Sequence, residues 1–149
     1  MSRDAANEGS RPAASATSPW KLRLLYPMAL FYCVMGVLHF VAADAFVAIM
    51  PAWLPWHLEL VWLSGLAELA LGLLLLPART RTFAAWGLVL LLVAVFPANV
   101  NMALHEIPVG HAPPRWVAWG RLPLQALLIA WAYGYTRPRA RARPGSSAA

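Results

Sequence analysis

Residues 58–76 read LELVWLSGLAELALGLLLL, nineteen positions with charges only at Glu59 and Glu68. About 20 predominantly apolar residues, wound as a helix, cover the ~30 Å hydrocarbon core of a bilayer. The run is too long for a strand and lacks the alternation a half-buried strand requires. Three stretches of the same kind accompany it, at residues 24–41, 83–104 and 117–135. A helix satisfies its own backbone hydrogen bonds, which makes it the open-ended element that lipid accepts. The chain reads as an all-α membrane protein, a four-transmembrane-helix up-down bundle over residues 20–136.

Composition supports this. Of 149 residues, 60% are hydrophobic and 12% charged. Soluble domains run to about 45–50% apolar and about 25% charged, so this chain has too little charge to clothe a soluble globule. The net charge of +6 would suggest nucleic acid in a soluble protein. Here the basic residues gather in tails and one short loop, and the partner expected is the lipid bilayer, not nucleic acid. The single cysteine, Cys33, excludes an internal disulfide and any CxxC pair. Residues 1–19 and 137–149 carry no apolar periodicity and read as disordered tails. The arginines of the second tail suit anionic lipid headgroups. Lys21, Arg23, an apolar run and VAADA together imitate a signal peptide. The long leading tail and the length of the apolar run favour a retained helix.

Proline marks the joints. Pro51 and Pro55 bracket the first loop, Pro77 ends the second span, and Pro108, Pro113 and Pro114 fill the third loop. Pro97 and Pro123 fall inside spans, where a neighbouring helix is expected to take up the freed carbonyls. A short interfacial helix over residues 45–50, capped by Asp44, is expected in the first outer loop. Ten basic residues lie on one side: Arg3, Arg11, Lys21, Arg23, Arg79, Arg81, Arg137, Arg139, Arg141 and Arg143. Only Arg115 and Arg121 lie on the other. The positive-inside rule makes both termini cytoplasmic. Trp53, Trp56, Trp116 and Trp119 then form an outer aromatic belt, with Trp20, Trp86, Trp131 and Tyr135 towards the inner face.

A charge in hydrocarbon costs several kcal/mol, on the order of 2.5–3.5 on insertion scales, so each one calls for a partner or a task. Glu68 lies about ten residues from the outer end of its helix, roughly 15 Å deep. Arg121 enters the fourth span from the same side, with Gln125 one turn further on, and an Arg121–Glu68 ion pair is expected. His39 and Asn99 fall near the outer ends of the first and third spans. His39, Glu68, Asn99, Arg121 and Gln125 thus gather in the outer half, while the inner half is almost free of ionisable groups. Two readings stay open: a buried pair that fixes helix register, or an outward-opening pocket for a headgroup, a quinone carbonyl or a small substrate. Gly65 and Gly72 suit close helix packing. His57, His105 and His111 read as solvated loop histidines, and Met28, Met35 and Met102 as packing. No haem pair, zinc spacing, phosphate loop or nucleophile elbow is present, so no metal is expected and the sequence names no catalytic residue.

Gly36-Val37-Leu38-His39-Phe40 is followed by Met50-Pro51 through Leu54-Pro55, then by Ser64-Gly65 with Glu68 and Gly72. Leu76-Pro77-Ala78-Arg79-Thr80-Arg81, Phe96-Pro97-Ala98-Asn99 and Arg121-Leu122-Pro123-Leu124-Gln125 complete the series. In this order over residues 26–136, the chain resembles the DoxX-like family of small bacterial four-helix membrane proteins. The resemblance implies a cytoplasmic-membrane location and, from some relatives, a quinone-linked or oxidative-stress system. It carries over no catalytic residues. The expected function is a non-catalytic subunit or a quinone- or lipid-binding component, with a membrane redox partner or a homo-oligomer as its company. The rival expectations are a proton-coupled transporter built on Glu68 and a structural assembly partner.

Overall fold

A computed structural model describes residues 19–105 and 115–137. The third-loop residues Pro108, His111, Pro113 and Pro114, and nearly all of both expected tails, lie outside the described residues. The described residues form five helices and no strand: α1 (Pro19–Val41), α2 (Ala43–Ala48), α3 (His57–Leu74), α4 (Arg81–His105) and α5 (Arg115–Tyr133). Three of these are long and apolar enough to cross a membrane, at Leu22–Val41, His57–Leu74 and Arg81–His105. The expected fourth span, α5, has 19 residues but falls short in hydropathy, because Arg121, Pro123 and Gln125 interrupt its apolar run. The outer surface is itself apolar. On α1 the exposed residues include Tyr26, Leu30, Val34, Val37 and Val41, a stripe at helical spacing. Such a face suits lipid, since soluble monomers rarely leave large contiguous apolar patches open.

The four long helices alternate in direction and pack as a series of neighbours, α1 on α3, α3 on α4 and α4 on α5. Among the described residues, α1 and α5 make no close backbone approach, and neither do α3 and α5. The closest seam is α1 against α3. A Cβ on Gly36 would stand 2.7 Å from the Gly65 carbonyl oxygen, and one on Gly65 would stand 2.6 Å from the His39 Cβ. Gly72 meets the Ala29 carbonyl two turns further along. Small residues let the backbones touch, which is where dispersion between membrane helices is gained.

The two ends of the bundle differ. At the end holding the α3–α4 turn, Leu25, Met28, Leu75, Ala84, Ala85, Leu88 and Ala132 fill the space between the helices and are fully or nearly buried. Tyr135 is buried in this cluster and Trp131 is half-buried against it. The turn is closed by its own side chains: Thr80 Oγ1 donates to the Leu74 carbonyl at 2.7 Å. Arg81 donates to the carbonyls of Leu75 and Leu76 at 3.0 and 2.8 Å. These satisfy the acceptors a helix C-terminus leaves open. A small second cluster, Ile49, Met102, Ala103 and Ala118, ties the opposite end together.

That opposite end carries α2. The short helix begins two residues earlier than expected, and Ala42, not Asp44, stands at its N-cap with no side-chain cap. Asp44 lies inside the first turn, where its charge meets the positive end of the helix. The following loop returns to α3 through Trp56, whose φ of 53° is left-handed and therefore strained for a bulky residue. Two bonds hold it there: Leu60 N–H donates to the Trp56 carbonyl at 2.9 Å, and the His57 ring donates from Nε2 to the Pro51 carbonyl at 3.1 Å.

Candidate functional site

Because α1 and α5 do not meet, the α2 end of the bundle holds a partly open cavity of about 440 Å³. Its walls come from all five helices and the 49–54 loop, and they are mostly apolar, with Phe31, Met35, Trp53, Val61, Val95 and Leu128 among them. His39, Glu68, Asn99, Arg121 and Gln125 all line it. This volume lies in the range of small-molecule sites, which pair apolar walls with a few placed polar groups.

The partners inside the cavity differ from those expected. No ion pair joins Arg121 to Glu68; the group beside Glu68 is His39, with Nδ1 3.4 Å from Oε2. The glycine seam explains this. Gly65 admits His39 against α3, and Glu68 stands one turn further along the same face. α5 does not pack on α3, so Arg121 and Glu68 line the cavity from helices that do not touch. Its guanidinium instead donates from Nη1 to the Met102 thioether at 2.9 Å. A thioether is a weak acceptor and carries no neutralising charge.

His39 is held on two sides. Its Nδ1 donates to the Met35 carbonyl at 2.8 Å; a carbonyl only accepts, so Nδ1 carries the hydrogen. The ring stacks on Phe46 of α2, with centroids 3.9 Å apart and planes 21° apart. Nε2 is left as the nitrogen at which this ring gains or loses a proton. Nδ1–H points mainly at Met35, and Glu68 Oε2, shut away from solvent, has no hydrogen-bond partner.

The amides form a separate strut. Asn99 Nδ2 donates to Gln125 Oε1 at 3.0 Å, and Gln125 Nε2 donates to the Leu92 carbonyl. Pro97 sits one turn beyond Val93 and cannot supply the amide that would bond the Val93 carbonyl. A side chain from α5 therefore reaches the α4 backbone beside the gap that Pro97 opens. Asn101 Nδ2 donates to the Ile49 carbonyl at 3.0 Å, tying α4 to the end of α2. Of the remaining candidates, His105 is exposed and bonds Asn101, and Met35 lines the cavity instead of filling the core.

Sequence reading passed over Tyr32. It is 1% exposed, lines the cavity, and its hydroxyl has no hydrogen-bond partner. A tyrosine in an apolar run reads as packing. The available signal was its spacing of seven from His39, which sets both on one face of α1. Among the described residues no group of three or more His, Cys, Asp or Glu could hold a metal ion.

Residues 28–136 match the family model described as Domain of unknown function (DUF8561). The chain belongs to that family, and the matched residues include the whole cavity wall. No curated protein matches the chain, and no solved structure does.

Proposed function

We propose that this chain is an integral protein of the bacterial inner membrane that crosses it four times, with both termini cytoplasmic. It holds a small, largely apolar molecule in the outer half of its bundle. The observation that carries the proposal is the cavity of about 440 Å³, apolar in its walls and supplied with His39, Glu68 and Arg121. A structural ion pair needs no such space around it. Here the acid and the arginine line one chamber without pairing, and Glu68 Oε2 lacks a donor. A buried polar atom left unsatisfied costs about 1–3 kcal/mol, so a guest that supplies the bond gains affinity from it.

What supports α5 as the fourth span is that its two interrupting polar residues, Arg121 and Gln125, line the cavity, while Leu127 is exposed on its flank. The ten-to-two division of basic residues sets the α2 end outward. Resemblance to the DoxX-like family supports a non-catalytic, redox-linked component, with quinones among the guests to be tried first.

Native mass spectrometry of the full chain released from lipid nanodiscs tests the binding claim. The wild type is expected to carry a bound small molecule that Ser64→Phe, which fills the cavity from α3, releases. Equal retention by both, or none by the wild type, would contradict it. A thiol-reactive, membrane-impermeant label on cysteines placed at Ala52 and Ala78 tests orientation: Ala52 is expected to react in intact cells and Ala78 only after lysis.

A further inference from the structure

Tyr32 and Glu68 are the two cavity-lining residues whose polar atoms are buried without a hydrogen-bond partner. They come from different helices, and the α1–α3 seam fixes their relative height. Gly36 packs between Gly65 and Leu69, and Gly72 packs between Ala29 and Cys33, so the helices run antiparallel in a register that sets Glu68 level with Met35. Tyr32 lies three residues deeper along α1, about 4.5 Å at the helical rise. His39 lies one turn above, towards the mouth. The cavity floor thus takes a phenol from α1 and a carboxyl group from α3 at heights about one helical turn apart, beneath walls that are mostly apolar and carry His39, Asn99, Arg121 and Gln125.

We infer that this floor is a hydroxyl-binding subsite, and that the molecule the cavity takes is an amphipathic alcohol or phenol entering hydroxyl first. A hydroxyl both donates and accepts. It accepts from the Tyr32 O–H and donates to Glu68 Oε2, completing both atoms at once. If Glu68 is protonated, the directions adjust and the hydroxyl still serves both. An ether oxygen only accepts, and leaves the Glu68 acceptor unsatisfied. A carbonyl has the same shortfall when Glu68 is ionised, so the pair ranks hydroxyls above ketones of the same shape. The apolar walls then take the hydrocarbon body.

This inference rests on the binding reading proposed for the cavity, and a matched pair of probes separates the two. The full chain in lipid nanodiscs is titrated with 4-pentylphenol and with its methyl ether, 4-pentylanisole, with protein-free nanodiscs subtracted. The phenol is expected to bind about tenfold tighter than the ether, the value of one additional buried hydrogen bond. Tyr32→Phe and Glu68→Met are each expected to reduce that preference below about threefold while ether binding persists. Tyr32→Phe removes an unpartnered hydroxyl, so its thermal midpoint without probe should not fall, and lost preference there cannot be blamed on misfolding. Equal binding of phenol and ether by the wild type overturns the hydroxyl subsite and leaves the cavity standing as a binding site. Binding of neither probe overturns both.

Discussion

The two ends of this bundle are made from the same helices and do opposite things with them. At the α3–α4 end, Met28, Leu75, Ala84, Ala85, Leu88 and Ala132 are each 0% exposed, and Thr80 and Arg81 close the turn. At the α2 end the same four long helices stand around a chamber, and the side chains facing it include nearly every polar group in the apolar runs. The packed end holds the helices in place so that the open end need not collapse. In lipid this division matters more than in water, because apolar burial alone draws no helices together and contact must do so.

The largest contrast is expected from leucine truncation. Leu88→Ala, at the packed end, should cost about 2–5 kcal/mol, as buried leucines do when a cavity is left behind. Leu124→Ala, on the half-exposed chamber wall, should cost below about 1 kcal/mol and change ligand retention instead. Reversible unfolding in mixed micelles reads both. Equal losses would erase the distinction between the ends.

Next comes the seam that both ends share. Gly65→Ala places a methyl group against the His39 Cβ and the Gly36 carbonyl, and should cost about 1–3 kcal/mol by overpacking. Its effect should include separation of His39 from Glu68, readable as altered chemical shifts of the His39 ring. Gln125→Leu follows at about 1 kcal/mol, in keeping with hydrogen bonds between membrane helices. It removes the strut to Asn99 and the Leu92 carbonyl, so the loss should be felt at the α4 bend near Pro97.

The helices were legible in sequence and the pairing inside them was not. Long apolar runs and their prolines locate α1, α3 and α4 within a few residues, because hydrocarbon thickness fixes length. The depth of Glu68, His39 and Arg121 follows from the same count, and the structure brings all three to one cavity. Depth says nothing about which helix stands beside which. Arg121 has the reach for Glu68, but α5 packs on α4 and the glycine seam gives that position to His39. Tyr32 escaped because an aromatic letter among leucines gives no sign that its hydroxyl is unpaired. The α2 cap failed for a simpler reason: Asp44 is the right residue type two positions inside the helix instead of before it.

Two smaller effects complete the series. Arg81→Met should destabilise the α3–α4 turn by about 1 kcal/mol, since it uncovers two helix-terminal carbonyls. Gly120→Ala, at the open end, meets nothing within 4 Å and should stabilise α5 by up to about 1 kcal/mol through helix propensity alone. A destabilising result at Gly120 would mean that this face of α5 is covered.

Carbodiimide labelling of the full chain in lipid vesicles tests the enclosed position of Glu68 most directly. Asp44 and Glu59 are exposed carboxyls and serve as internal references. A water-soluble carbodiimide should modify both references and spare Glu68. Dicyclohexylcarbodiimide, which partitions into lipid, should modify Glu68, and 4-pentylphenol should slow that reaction. Modification of Glu68 by the water-soluble reagent as fast as Glu59 would contradict the account.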